Sequence, residues 1–146
     1  MMRTLLIAII LLAAASTTRA HVTVWPQQSQ AGGSERYTVR VPTEGQVATT
    51  SVELEIPADV TVSAVLVGGA YTYDVRRDAN RIVAITWKLE IKPAETAEFV
   101  FFARNSTAAQ IVWKARQRLA DGTSNDWVGV EGDRRPAAIT RLVQAR

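Results

Sequence analysis

The sequence lacks several residues on which much protein chemistry depends. It contains no cysteine, its two methionines are Met1 and Met2, and its one histidine is His21. Without cysteine no disulfide can form, so hydrophobic packing must stabilise the fold, and a blue-copper site, which requires a thiolate, is excluded. A single histidine and the absence of a Gly-rich phosphate loop leave the usual catalytic triads, nucleotide sites and two-histidine metal sites excluded or unsupported.

An excess of charge of one sign is also missing. The chain has 17 basic and 14 acidic residues, and Arg3 and Arg19 lie in the first 20 residues, which leaves 15 basic residues after them. Binding to nucleic acid usually requires a basic patch or stripe. The pair Arg134 and Arg135 is the nearest approach to one, and we interpret it as a solvated turn. We therefore expect no nucleic-acid partner.

The first 20 residues have the pattern of a secretory signal. Arg3 gives a positive start, residues 5–15 are an unbroken apolar run, and Thr18 and Ala20 are small residues before a cut that would leave His21 first. The run is shorter than the roughly 20 apolar residues that cross a bilayer. We predict cleavage after Ala20, a mature domain of residues 21–146 without a membrane anchor, and a periplasmic or other extracytoplasmic location.

A period of two dominates the rest of the chain. Residues 51–56, 83–89 and 111–116 alternate between apolar and other side chains, which is typical of half-buried strands. The clearest predicted strands are residues 37–41, 52–56, 60–67, 81–89, 97–103, 110–118 and 139–143. We predict an all-β fold: a single antiparallel β-sandwich, immunoglobulin-like or cupredoxin-like, of about seven to nine strands. Trp25, Trp87 and Trp113 are predicted to lie in its core.

His21 gains an unusual property if it becomes the first residue. It then offers two nitrogen donors, the free α-amine and the ring Nδ1, which can close a chelate ring on one metal ion. Cu(II) ranks highest among the first-row divalent ions for such donors, whereas Cu(I) prefers the sulfur ligands that the mature chain lacks. Both nitrogens must be unprotonated to bind, so acid should weaken the affinity. Since any residue can follow a signal cut, a histidine without function stays an alternative.

The order and spacing of several motifs resemble the YcnI-like copper-binding domain family. The motifs are HVTVWP (21–26), YTVRVPTE (37–44), TSVELEIP (50–57), ITW (85–87), AEF (97–99), DWVGVEGD (126–133) and PA (136–137). The resemblance implies Cu(II) binding outside the cytoplasmic membrane, in copper homeostasis, at a site with a single histidine. In that site His21 supplies the amine and Nδ1, Glu44 supplies a carboxylate, and Trp127 packs its indole against the metal. Some members of the family carry a C-terminal membrane anchor, and the sequence up to Arg146 has none.

The residues themselves leave alternatives for two of these roles. Glu44 lies in a Pro-Thr-Glu-Gly turn, from which its carboxylate can extend beyond the sheet, but glutamates are mostly exposed without any further role. Trp127 fits an ordinary core tryptophan as well as a π-face over a cation, which would also screen the site from water.

Three functions are therefore compared. The first is a Cu(II) chaperone or buffer, not an enzyme, whose partners are the copper ion and other periplasmic copper-trafficking proteins. The second is an interaction module that binds protein, peptide or sugar through its loops and needs no metal. The third, a copper enzyme, would use coordination positions that one histidine and one carboxylate leave open.

Overall fold

The computed structural model describes residues 20–146, so residues 1–19 of the predicted signal lie outside the described part. The strands are β1 Thr23–Trp25, β2 Gln28–Gln30, β3 Ser34–Pro42, β4 Thr49–Glu55, β5 Thr61–Val65, β6 Thr72–Asp78, β7 Arg81–Ile91, β8 Thr96–Arg104, β9 Gln110–Trp113, β10 Ala115–Leu119, β11 Ser124–Trp127 and β12 Ala138–Val143. Between residues 20 and 146 no residue is helical, and this range holds no helix able to span a membrane. The predicted all-β class is confirmed.

The strands form three sheets. Their orders are β1-β3-β8-β5, β11-β10-β4-β7-β6 and β2-β12-β9. All pairings are antiparallel except that of β12 with β2, which is parallel. The described residues hold twelve strands, slightly more than the seven to nine predicted. The additions are short or polar strands, and the predicted strand 110–118 is divided at Lys114, where the chain passes from the partner β12 to the partner β4.

The core lies between the first two sheets and extends to the third, which contributes Ile111, Trp113 and Leu142. Trp87 of β7 stacks on Phe99 of β8, with ring centroids 4.8 Å apart, and Trp113 meets Tyr37 and Phe101 edge-on at 5.0 and 5.6 Å. All five side chains are fully buried. Burying one such side chain stabilises a fold by about 1.5–3 kcal/mol, so this aromatic cluster compensates for the missing disulfides.

Two details of the predicted core were wrong. Trp25 is 42% exposed, because Val22 just before β1 and Val24 within it point inward, and the alternation turns Trp25 outward. Val83 was predicted to point inward with Ile85, Trp87 and Leu89, but Ile82 and Ala84 are buried instead. The pairing of β6 with β7 shifts register at Val83. A β-bulge of this kind interrupts the period of two.

The predicted site residues lie on or next to edge strands and strand ends. β1 is the edge of the first sheet and β11 is the edge of the second. β1 pairs with β3 through Thr23 and Arg40, and continuing this antiparallel register by two residues places His21 beside Pro42, the last residue of β3. The elements that carry the predicted site residues therefore converge at this end.

Candidate metal centre

His21 and Trp127 lie against each other although 106 positions separate them. Their ring centroids are 5.5 Å apart, with an angle of 53° between the ring planes. His21 precedes β1 and is half-buried, whereas Trp127 ends β11 and is only 4% exposed. The indole of Trp127 is therefore a core side chain that also packs against the imidazole of His21. A core position and a position beside a metal ion are thus compatible for Trp127.

Glu44 lies two residues beyond the end of β3 and is exposed, while Pro42 and Thr43 before it are buried. Its Oε1 accepts a short hydrogen bond from the backbone N–H of Ala20. As long as Ala20 is present, the carboxylate of Glu44 is therefore hydrogen-bonded to the residue before His21. Consecutive Cα atoms are about 3.8 Å apart, so an α-amine created at His21 would begin one residue from this carboxylate.

A small open cavity of about 50 Å³ joins Glu44 to Trp127, and Asn125, Arg134 and Arg135 complete its lining. His21 lines a separate cavity of about 240 Å³. The structure thus brings His21 to Trp127 and Trp127 to Glu44, while the connection between His21 and Glu44 runs through Ala20. One water molecule needs roughly 10–15 Å³ of such space, so the cavity beside Glu44 has room for small ligands.

The two arginines at this cavity were predicted to form only a solvated turn. Arg134 is exposed, but Arg135 is half-buried. Their loop is closed by hydrogen bonds from Gly129 N–H to Arg135 O, 3.0 Å, and from Ala137 N–H to Gly129 O, 2.8 Å. A Cβ on Gly129 would lie 2.8 Å from Asp133 Cβ and 3.0 Å from Arg135 O, so any larger residue would force this loop to shift. Nothing in the spacing of the sequence indicated that the pair would reach the site.

Gln117 is a residue of the site region that sequence reasoning missed. Its Oε1 accepts a 3.1 Å hydrogen bond from Trp127 Nε1, and its Nε2 donates to Pro42 O and Thr49 Oγ1 at 2.9 and 2.7 Å. A signal was present, because Gln117 continues the inward series of Ile111, Trp113 and Ala115, where a polar residue is unexpected. A buried amide at such a position needs partners, and these are the indole and the end of β3.

Side chains alone do not form a metal cluster in the described range. No group of three or more His, Cys, Asp or Glu residues lies close enough together between residues 20 and 146 to hold an ion. If the chain is cleaved before His21 as predicted, the α-amine adds a backbone donor to those of the side chains. An amine nitrogen, an imidazole nitrogen and a carboxylate oxygen form a donor set that suits Cu(II).

Comparison with known proteins identifies related sequences. Residues 21–141 match the family described as a domain of unknown function, DUF1775. The chain is 32% identical over 131 residues to the copper-binding protein CutI of Bacillus subtilis (strain 168). The match covers 87% of this chain and 64% of CutI, so the chain spans less than two-thirds of the length of this relative.

A solved structure supports the fold. An uncharacterized protein from Nocardia farcinica, described as having an immunoglobulin-like fold, superposes with a TM-score of 0.72 at 27% sequence identity. The match covers 84% of this chain and 98% of that one. The immunoglobulin-like form of the predicted sandwich is confirmed.

Proposed function

Since the chain belongs to the DUF1775 family, the YcnI-like family that its motifs predicted, we propose that it is a copper-binding protein. The name of the relative CutI supports copper as the metal. CutI is longer than this chain, and only the part that the chain matches enters the proposal.

The proposed ligands of Cu(II) are the α-amine and Nδ1 of a processed His21 and the carboxylate of Glu44, with the indole of Trp127 packed beside the ion. The observation that carries this site is the meeting of three distant residues at one end of the sandwich. The ring of His21 lies 5.5 Å from that of Trp127, and Trp127 shares a cavity with Glu44.

The donor set accounts for the preference for an oxidised ion. Two neutral nitrogens and one carboxylate favour Cu(II), while the described residues offer no sulfur for Cu(I). The carboxylate offsets one of the two positive charges. Arg134 and Arg135 line the same cavity, and their positive charges oppose the binding of a cation there.

We assign the protein a role in storage or transfer of copper outside the cytoplasm, not in catalysis. The signal pattern of residues 1–20 supports the location, and the copper-binding relative together with the immunoglobulin-like neighbour supports a binding role. Other copper-trafficking proteins of the same compartment are the proposed partners.

Intact mass spectrometry of the secreted protein, with and without Cu(II), tests the proposal directly. The expected result is a chain that begins at His21 and gains the mass of one copper ion. Electron paramagnetic resonance of the loaded protein should give a type 2 Cu(II) spectrum with nitrogen hyperfine splitting.

A substitution then separates metal binding from a metal-free interaction module. His21→Ala with the same cleavage site should abolish the stoichiometric copper adduct. Asp59→Asn, which changes an exposed turn carboxylate beside a different cavity, should keep it. Retention of one tightly bound copper by His21→Ala would refute the proposed site.

A further inference from the structure

Gln117 lies beneath the proposed site and contacts both sides of it. Its side chain is 1% exposed, and it belongs to β10 in the second sheet. One end of its amide binds the indole of Trp127 in that sheet, and the other binds the carbonyl of Pro42, the last residue of β3 in the first sheet. Glu44 follows Pro42 by two residues, so one rigid planar group joins the indole of Trp127 to the strand end that leads to Glu44.

The hydrogen bonds continue from Gln117 toward Glu44. Gln117 Nε2 donates to Thr49 Oγ1 at 2.7 Å, the hydroxyl oxygens of Thr49 and Thr43 are 2.8 Å apart, and Thr43 Oγ1 donates to Ile91 O at 3.0 Å. Both threonines are buried. Thr43 is the neighbour of Glu44, so the buried chain of hydrogen bonds reaches the residue that precedes the proposed carboxylate ligand.

The direction of every hydrogen bond in this chain is determined. Thr43 donates its one hydroxyl hydrogen to Ile91 O, so it must accept from Thr49, and Thr49 must accept from Gln117. The two amide hydrogens of Gln117 are then used by Thr49 and Pro42, and its oxygen faces the indole N–H. In a flipped amide, the NH₂ group of Gln117 would face the indole N–H and its oxygen would face the Pro42 carbonyl. The amide therefore has a single orientation.

We infer that Gln117 is the positioning residue of the copper site proposed above: it fixes the indole of Trp127 relative to the strand end that carries Glu44. The inference rests on the proposed function. A buried network in which every donor has its acceptor keeps one arrangement, and partners behind metal ligands commonly change metal affinity 10- to 100-fold when they are removed. Gln117 contacts no metal donor directly, so its effect on copper passes through the position of Trp127 and the end of β3.

The test uses Gln117→Met, which keeps the volume and removes the hydrogen bonds. The matched control is Thr140→Val, because Thr140 is also buried, accepts from the indole of Trp113 at 3.0 Å and donates to Pro26 O at 2.9 Å. Both variants should lower the thermal midpoint. Only Gln117→Met should weaken Cu(II) binding, by about 10-fold or more, and change the g and hyperfine values of the Cu(II) spectrum.

A second variant keeps the test decisive if Gln117→Met does not fold. Thr49→Val breaks the link between Gln117 and Thr43 while Gln117 still holds the indole, and it should shift the same Cu(II) spectrum with a smaller loss of affinity. If the folded variants bind Cu(II) as wild type does, with an unchanged spectrum, Gln117 only stabilises the fold and the inference is overturned.

The proposed function can fail separately from this inference. If the wild-type protein binds no copper, or if His21→Ala binds copper as well as wild type does, the site itself is refuted. The other outcome is that wild type binds copper, His21→Ala does not, and Gln117→Met retains the native affinity and spectrum. The copper site would then be supported and the positioning role of Gln117 refuted.

Discussion

An extension before His21 should remove two of the proposed copper donors at once. A Gly/Ser segment left in front of His21 turns its amine into an amide, which is a poor metal ligand until it loses its proton. The structure adds a second effect, because the backbone N–H of the residue before His21 donates to Glu44 Oε1. The extended protein therefore keeps the imidazole, while the carboxylate is hydrogen-bonded to the added chain.

The size of the effect follows from the chelate. Joining two donors in one residue makes the second binding step intramolecular, and such linkage typically strengthens binding by about 10²- to 10⁴-fold. Its loss corresponds to about 2.7–5.5 kcal/mol of binding free energy. Competition for the Glu44 carboxylate acts in the same direction, so we expect at least about a 100-fold weaker affinity for Cu(II).

The assay is a competition titration with a chromophoric Cu(II) chelator, combined with electron paramagnetic resonance. The control is the extended protein after proteolytic removal of the Gly/Ser segment, so that its chain begins at His21. The two proteins are then identical in residues 21–146. An extension by Ala20 alone is a weaker test, because its amine, the next backbone nitrogen and the imidazole can together bind copper in a different way. Equal affinity and equal spectra for the extended and the cut protein would refute the reasoning.

Three further predictions concern single residues. Glu44→Gln removes the anionic oxygen and should weaken Cu(II) binding by about 10- to 100-fold, or about 1.4–2.7 kcal/mol, in the same titration; an unchanged affinity would exclude Glu44 as a ligand. Trp113→Phe should be about 1–2 kcal/mol more destabilising in urea unfolding than Trp87→Phe, because Trp113 Nε1 donates to Thr140 while Trp87 Nε1 has no partner in the described chain; equal losses would contradict this. Burial raises the pKa of Tyr37 from 10.0 to about 12. The stability it contributes is therefore complete below pH 10 and should fall by about 2–3 kcal/mol as the pH rises through 12, a loss that Tyr37→Phe should not show in pH-dependent unfolding.

Particular residues explain where sequence reasoning succeeded. Val52, Leu54 and Ile56 alternate with polar residues, and all three are buried as predicted, because a strand turns successive side chains to opposite faces. The same rule failed at Val83, where a bulge adds a residue, and at Trp25, whose size suggested burial although its neighbours Val22 and Val24 already point inward. Periodicity determines which residues share a face, but a local irregularity decides where that face changes.

The candidate site was likewise predicted only in part from the sequence. Its three residues were predicted from a resemblance and from the donor chemistry of a terminal histidine, and their roles as ligands stay predictions. The contribution of Gln117, the approach of Arg134 and Arg135, and the contact of Ala20 with Glu44 were not predicted. Each depends on contacts between segments that are distant in the chain.

The sequence by itself determined the all-β class, the absence of disulfide and thiolate chemistry, and the single histidine beside a predicted cleavage site, because composition and short-range alternation are local properties. Only the tertiary structure decided that β1 and β11 form the edges of two different sheets, that the rings of His21 and Trp127 lie 5.5 Å apart, and that one amide joins Trp127 to the end of β3. The physical reason is that strand order and register arise from packing between distant segments, which the spacing of residues along the chain does not specify.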